Sequence, residues 1–157
     1  MRRATLQSGL FGAALATLLN FVALLPYIGF CIALPLLPIA FFLTGLALVR
    51  VADEPPTVGQ ATVGGAVAGL VAGAIAGLVA MFLAPIRVAL AGGPEALTWL
   101  LSPELSAQLV ARGLDPVAVV DFMGKAGLGL LLCSGQIAFG ALLAASAAAL
   151  YAGFRQA

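Results

Sequence analysis

Residues 55–86 read PPTVGQATVGGAVAGLVAGAIAGLVAMFLAPI and carry no charged side chain. A membrane-crossing helix needs about 20 apolar residues in a row, and this run of 32 residues (55–86) exceeds that with interfacial ends to spare. Within it Gly65, Gly69, Gly73 and Gly77 recur every fourth position. Residues four apart stack on one helix face, so the glycines form a smooth groove about three turns long. Ala68, Ala72, Ala76 and Ala80 continue the small surface beside it. Lipid supplies little hydrophobic force between helices, so such a surface associates by close backbone approach and dispersion.

Outward from this stretch the pattern repeats. Residues 4–49 (46 in a row) and 126–154 (29 in a row) are also uncharged. The longer run suits two spans joined by the turn-forming Pro26-Tyr27-Ile28-Gly29. An all-α polytopic membrane protein follows, with four transmembrane helices near 5–25, 29–49, 60–84 and 127–152. The runs lack the period-2 alternation of barrel strands. Pro35 and Pro38 interrupt the second span, so a kinked crossing helix and a re-entrant segment are both open. The first span reads as a retained signal-anchor helix, because no small-x-small cleavage site follows it before Pro26.

The composition agrees. Of 157 residues, 63% are hydrophobic and 8% charged, with a mean hydropathy of +1.17. A soluble domain is about half apolar and about a quarter charged. A net charge of +1 without a basic run leaves no footprint for nucleic acid. The absence of histidine removes His-ligated haem, His-containing zinc sites and His-dependent triads. Two cysteines cannot build a zinc or iron–sulfur site within one chain, so neither a metal nor a cofactor is expected. Cys31 and Cys133 are expected as separate thiols, with a disulfide the alternative in an oxidising compartment.

Basic residues in short flanks orient the chain. Arg2, Arg3, Arg50 and Arg155 on one side, against Arg87, Arg112 and Lys125 in a long acidic-rich segment, favour cytoplasmic termini. That segment, 86–126, is the one stretch of ordinary polar balance. Gly93-Pro94-Glu95, Ser102-Pro103-Glu104 and Asp115-Pro116 each place proline at a helix start, predicting three short helices. Gly113 ends the second and Gly124 the third. Trp99, Leu100, Phe122 and Met123 can reach the headgroup region. The segment reads either as a docking surface or as a simple connection lying on the membrane.

No span carries Asp, Glu, Lys or Arg, the usual marks of transport or proton relay. Thr17, Asn20, Thr44, Ser134, Gln136 and Ser146 are among the neutral polar groups of the spans. Asn20, Ser134 and Gln136 form the candidate intramembrane polar site. Counted from the span ends, Asn20 and Gln136 lie at depths roughly 6 Å apart, so a direct bond needs tilt or shift. The four glycines are the helix-packing site. Their partner is open between another span, such as the first with Gly9, Gly12, Ala13 and Ala16 or the fourth with Gly135 and Gly140, and a second subunit.

The glycine repeat also resembles one helix of ATP-synthase rotor proteolipids, but those need a mid-membrane carboxylate that no span here holds. The Pro-Tyr-Ile-Gly turn followed by Phe30-Cys31, the proline-broken second span and Gly59-Gln60-Ala61 opening the third resemble small uncharacterised four-span bacterial inner-membrane proteins. That resemblance implies a fold and a location, and no activity. With no nucleophile–base pair, metal-ligand set or acidic cluster, an enzyme is not expected. The leading expectation is a non-catalytic accessory or structural subunit of a membrane complex, with lipid and membrane proteins as partners. The alternatives are an oligomeric transporter or channel component for a neutral or small solute, and a pigment- or quinone-binding protein.

Overall fold

The computed structural model describes residues 2–25, 28–90, 92–93 and 101–156, and every regular element among them is helical. They are α1 (Arg2–Val22), α2 (Gly29–Val51), α3 (Val58–Leu90), α4 (Pro103–Ala111) and α5 (Pro116–Gln156). Four of them, α1, α2, α3 and α5, are long and apolar enough to cross a membrane. The protein is an all-α, four-span helical membrane protein by architecture.

Several boundaries have a local cause. Thr57 and Gln60 open α3 with a reciprocal capping box: Gln60 N–H donates to Thr57 Oγ1 (3.3 Å) and Thr57 N–H to Gln60 Oε1 (3.2 Å). At the other end Gly93 N–H donates to Val88 O (2.9 Å), with Gly92 and Gly93 both at positive φ. Ser102 caps α4 by accepting from Leu105 N–H, and Gly113 ends it at φ 74°, where Leu114 N–H reaches back to Leu109 O. Asp115 caps α5 by accepting from Val117 N–H.

The sequence expectations need correction at three places. α2 is continuous through Pro35 and Pro38, which removes the re-entrant alternative. α3 does not stop at Pro85 but runs to Leu90. The helix expected to begin at Asp115 and end at Gly124 is not separate, because it is the first part of a 41-residue α5. A mid-helix glycine costs only about 1 kcal/mol, and here the Lys125–Asp121 ion pair (2.6 Å) spans Gly124. Buried Val120 holds the same stretch in place. The helix expected after Gly93, with Trp99 and Leu100, lies outside the described residues.

The bundle is laid out as α1, α3, α5, α2 around a square, with α3–α5 the most extensive interface and α1 and α5 barely meeting. Neighbouring contacts give the directions. Gly65 lies on Ala144, Gly69 on Gly140, Gly73 on Gln136 and Gly77 on Cys133, so α3 and α5 are antiparallel. Gly9 lies on Ala68 and Val71, while Asn20 reaches Ala76, so α1 and α3 run in the same direction. Gly12 is pressed on Thr44 of α2. The core is built of alanines that are fully buried at 72, 76, 144, 147 and 148, around the large side chains of Phe41 and Leu48.

The helices differ in length, and this shapes one end of the molecule. At 1.5 Å per residue α1 and α2 are roughly 32 and 35 Å long, near the 30 Å of a hydrocarbon core. α3 and α5 are roughly 50 and 62 Å, more than the 40–45 Å of a whole bilayer. Their surplus lies beyond the C-terminal end of α1 and the N-terminal end of α2, as an antiparallel pair formed by 83–90 and 116–128.

Candidate functional site

Four polar side chains are buried among the described residues: Ser8, Asn20, Thr44 and Gln136. Ser8 and Thr44 return their hydroxyls to their own helix, donating to Thr5 O (3.1 Å) and Ala40 O (2.9 Å). Asn20 and Gln136 instead bond across the bundle. Asn20 Nδ2 donates to Gln136 Oε1 (3.2 Å) and Gln136 Nε2 donates to Asn20 Oδ1 (3.1 Å). Asn20 Nδ2 also lies within reach of Ala16 O (3.1 Å) and Ala76 O (3.3 Å). This reciprocal amide pair joins the two helices that the bundle otherwise keeps apart.

The roughly 6 Å depth difference expected between the two amides is not present. That figure counted Gln136 from a span beginning near residue 127, whereas α5 begins at Pro116 and its level is set by pairing with α3. Gly73 sits on the Gln136 backbone, which carries the side chain to the level of the α1 terminus. Ser134 does not join the pair. It is exposed on α5 and donates to Leu130 O (2.9 Å) within that helix.

The third member of the site is Arg87, expected in the connection outside the spans. It belongs to the last turn of α3 and is half-buried. Its Nη2 donates to Asn20 O (3.2 Å) and to Asn20 Oδ1 (3.0 Å). The Asn20 carbonyl is one of the last in α1, where the helix macrodipole is negative, so a guanidinium is well placed. Arg87 Nε is buried without a hydrogen-bond partner. The signal that locates Arg87 is spacing from the glycine face: it lies ten residues beyond Gly77, on a helix that continues through Pro85.

The four glycines all face α5 of the same chain. A Cβ on Gly69 would overlap Gly140 O, one on Gly65 would lie 2.5 Å from Ala144 O, and one on Gly77 would lie 3.0 Å from Cys133 O. The first span is therefore not their partner, and the face is not free for a second subunit. α1 meets α3 on the neighbouring alanine side, at Ala68 and Val71.

At the opposite end of the bundle Tyr151 lies between two arginines, with Arg50 5.8 Å and Arg155 5.7 Å from its ring centroid. Gln156 Nε2 donates to Pro56 O (3.2 Å), tying the end of α5 to the α2–α3 loop. Both cysteines are free thiols, with Cys31 exposed and Cys133 against Gly77.

Chemically, the amide–guanidinium cluster binds helices together. Neutral amides exchange no proton near neutrality, and the Asn20 hydrogen-bonding capacity is met by the chain's own atoms. Among the described residues no group of three or more His, Cys, Asp or Glu side chains is placed to hold a metal ion. No family model matches the chain, and neither a curated protein nor a solved structure matches it, so functional argument rests on this geometry.

Proposed function

We propose that the protein is a small non-catalytic integral membrane protein, an accessory or structural subunit of a larger membrane complex. One observation carries this reading: α3 and α5 continue past the ends of α1 and α2 as a two-helix projection with uncovered apolar side chains. Phe122 and Met123 are 73% and 64% exposed there, beside Ile86 and Leu90. α4, which follows α3 in the chain, buries none of its own residues and so covers little of this surface. Apolar side chains above a bilayer are the mark of a protein contact. The polar groups buried inside the spans are meanwhile consumed by internal hydrogen bonds, which supports a supporting role over a catalytic one.

The location follows the same reading: a prokaryotic inner membrane, with both termini cytoplasmic. Arg50 and Arg155 converge on Tyr151 at the end of the bundle that also holds Arg2 and Arg3, which is the clustering the positive-inside preference favours.

The test is mild extraction of the tagged chain, followed by identification and stoichiometry of what co-purifies. A partner held at fixed stoichiometry and released by Phe122→Asp or Met123→Asp, with unchanged melting, is the expected result. Retention by both variants would overturn the projection as the contact surface. An oligomeric channel or transporter component is the competing class. Solute flux through liposomes containing the purified protein, altered by Gln136→Leu, would put that reading in place of the first.

A further inference from the structure

A groove of about 710 Å³ lies between α1 and α3 at the arginine-bearing end of the bundle. At Gly9 the two helices touch: a Cβ there would lie 3.1 Å from Ala68 O and 3.2 Å from the Val71 Cβ. Toward the start of α3 the groove is open, and a Cβ on Gly59 would meet nothing within 4 Å. The groove is closed at its deep end by the Gly9 contact and open sideways to the surroundings of the bundle.

Its walls change character along its length. Val63, Val67 and Val71 line its apolar length, and Arg2, Thr5 and Gln60 line the mouth. Gly59 to Val71 is twelve residues, or about 18 Å of helix, close to half of the roughly 30 Å hydrocarbon core. The groove thus spans one leaflet, with its polar end at the membrane surface. Its volume falls in the roughly 300–1,000 Å³ range of small-ligand sites.

The mouth is cationic. Arg2 is exposed and has no ion-pair partner among the described residues. Asp53 and Glu54 line a separate recess on the far side of Gln60, which leaves Arg2 as the ionisable lining residue of the groove. The N-terminus of α3 adds the positive end of a helix dipole at the same place.

We propose that this groove is a binding site for one anionic phospholipid. One acyl chain lies along Val63, Val67 and Val71, and the headgroup phosphate is held by Arg2 with Gln60 beside it. Zwitterionic lipids fit the apolar part equally well and carry the same phosphate, so the net charge of the headgroup beside Arg2 makes the selection. This inference concerns a different end of the molecule from the projecting helices and does not depend on a protein partner.

The full chain, stripped of lipid in a neutral detergent, is titrated with dioleoyl phosphatidylglycerol or dioleoyl phosphatidylcholine, and bound lipids are counted by native mass spectrometry. One phosphatidylglycerol should bind per chain, about tenfold tighter than phosphatidylcholine, whose choline cation offsets the attraction of its phosphate to Arg2. Arg2→Gln should bring the two affinities together, while Arg3→Gln, outside the groove, keeps the preference. Val63→Trp, at a position 66% exposed and so harmless to the fold, should weaken both lipids. Millimolar inorganic phosphate should not displace the lipid. Equal affinities in the parent protein, an unchanged preference in Arg2→Gln, or unchanged binding in Val63→Trp would each overturn the proposal. So would displacement by phosphate alone, or a lipid-free dimer in which a second copy fills the groove.

Discussion

Gly69 and Gly140 meet backbone to backbone: the space a methyl group would need at either residue is filled by the carbonyl oxygen of the other. Flexible side chains yield to an added group, whereas two helix backbones must move apart as units. Overpacking of a core costs about 1–3 kcal/mol, and here the displaced atoms are main chain. Gly69→Leu and Gly140→Leu should each lower the melting temperature in detergent sharply or prevent folding. Gly153→Leu, where a Cβ meets open space, should melt no lower than the parent. Equal melting of Gly69→Leu and Gly153→Leu would refute the contact.

The amide pair predicts an asymmetry. Gln136→Leu leaves Asn20 Nδ2 its bonds to Ala16 O and Ala76 O, but Asn20→Leu removes those and one of the two Arg87 acceptors as well. Asn20→Leu should therefore be the more destabilising change. A double-mutant cycle should give a coupling of about 0.6 kcal/mol, the average for hydrogen bonds between membrane helices, and at most about 1.7 kcal/mol. Zero coupling would mean the two amides do not meet.

Arg87 predicts a local effect. Arg87→Met removes the donor to the Asn20 carbonyl and a charge at the α1 C-terminus, at a cost of about 0.5–2 kcal/mol. Hydrogen exchange should accelerate at amides 19–25 before it changes elsewhere. Arg87→Lys should restore part of the protection, because one donor still reaches Asn20.

Some glycines only weaken their helix. Gly127, Gly135 and Gly153 lie within α5 and have nothing within 4 Å of an added Cβ. Alanine at each should stabilise by about 0.5–1 kcal/mol, through backbone entropy and helix propensity. A loss of stability at any of them would show that the glycine meets a neighbour.

The thiols predict a labelling pattern. Alkylation under denaturing, non-reducing conditions should add two groups, at Cys31 and Cys133. In the folded protein Cys31, which is exposed, should react first, ahead of Cys133 against Gly77. A single-step loss of both, or no reaction, would contradict the packing.

The four spans are legible in the sequence because charge is so scarce that its gaps coincide with helices. The rest is less so, for reasons visible at single residues. The face of Gly65, Gly69, Gly73 and Gly77 announces close approach, but the first and fourth spans and a second subunit could all receive it, and only the fold selects α5. The depth of Gln136 is unreadable without the true start of α5, since Gly124 looks like a stop and is bridged by Asp121 and Lys125. Arg87 follows Pro85 and so resembles loop, while the helix runs on beside α5 and turns the charge toward Asn20. Phe41 is invisible for another cause: in so apolar a chain, nothing local distinguishes a core side chain from a lipid-facing one.

The pairing of Asn20 with Gln136 across 116 positions also has a meaning in time. While a ribosome is still making the chain, α1, α2 and α3 are complete before the amide of Gln136 exists. During that interval Asn20 lacks its bond to Gln136 and the glycine surface of α3 has nothing against it. The arrival of α5 closes both at once. A nascent chain halted before residue 136 would thus display an open small-residue surface and an incompletely paired amide in the bilayer, two features by which a membrane chaperone or protease can tell unfinished from finished protein.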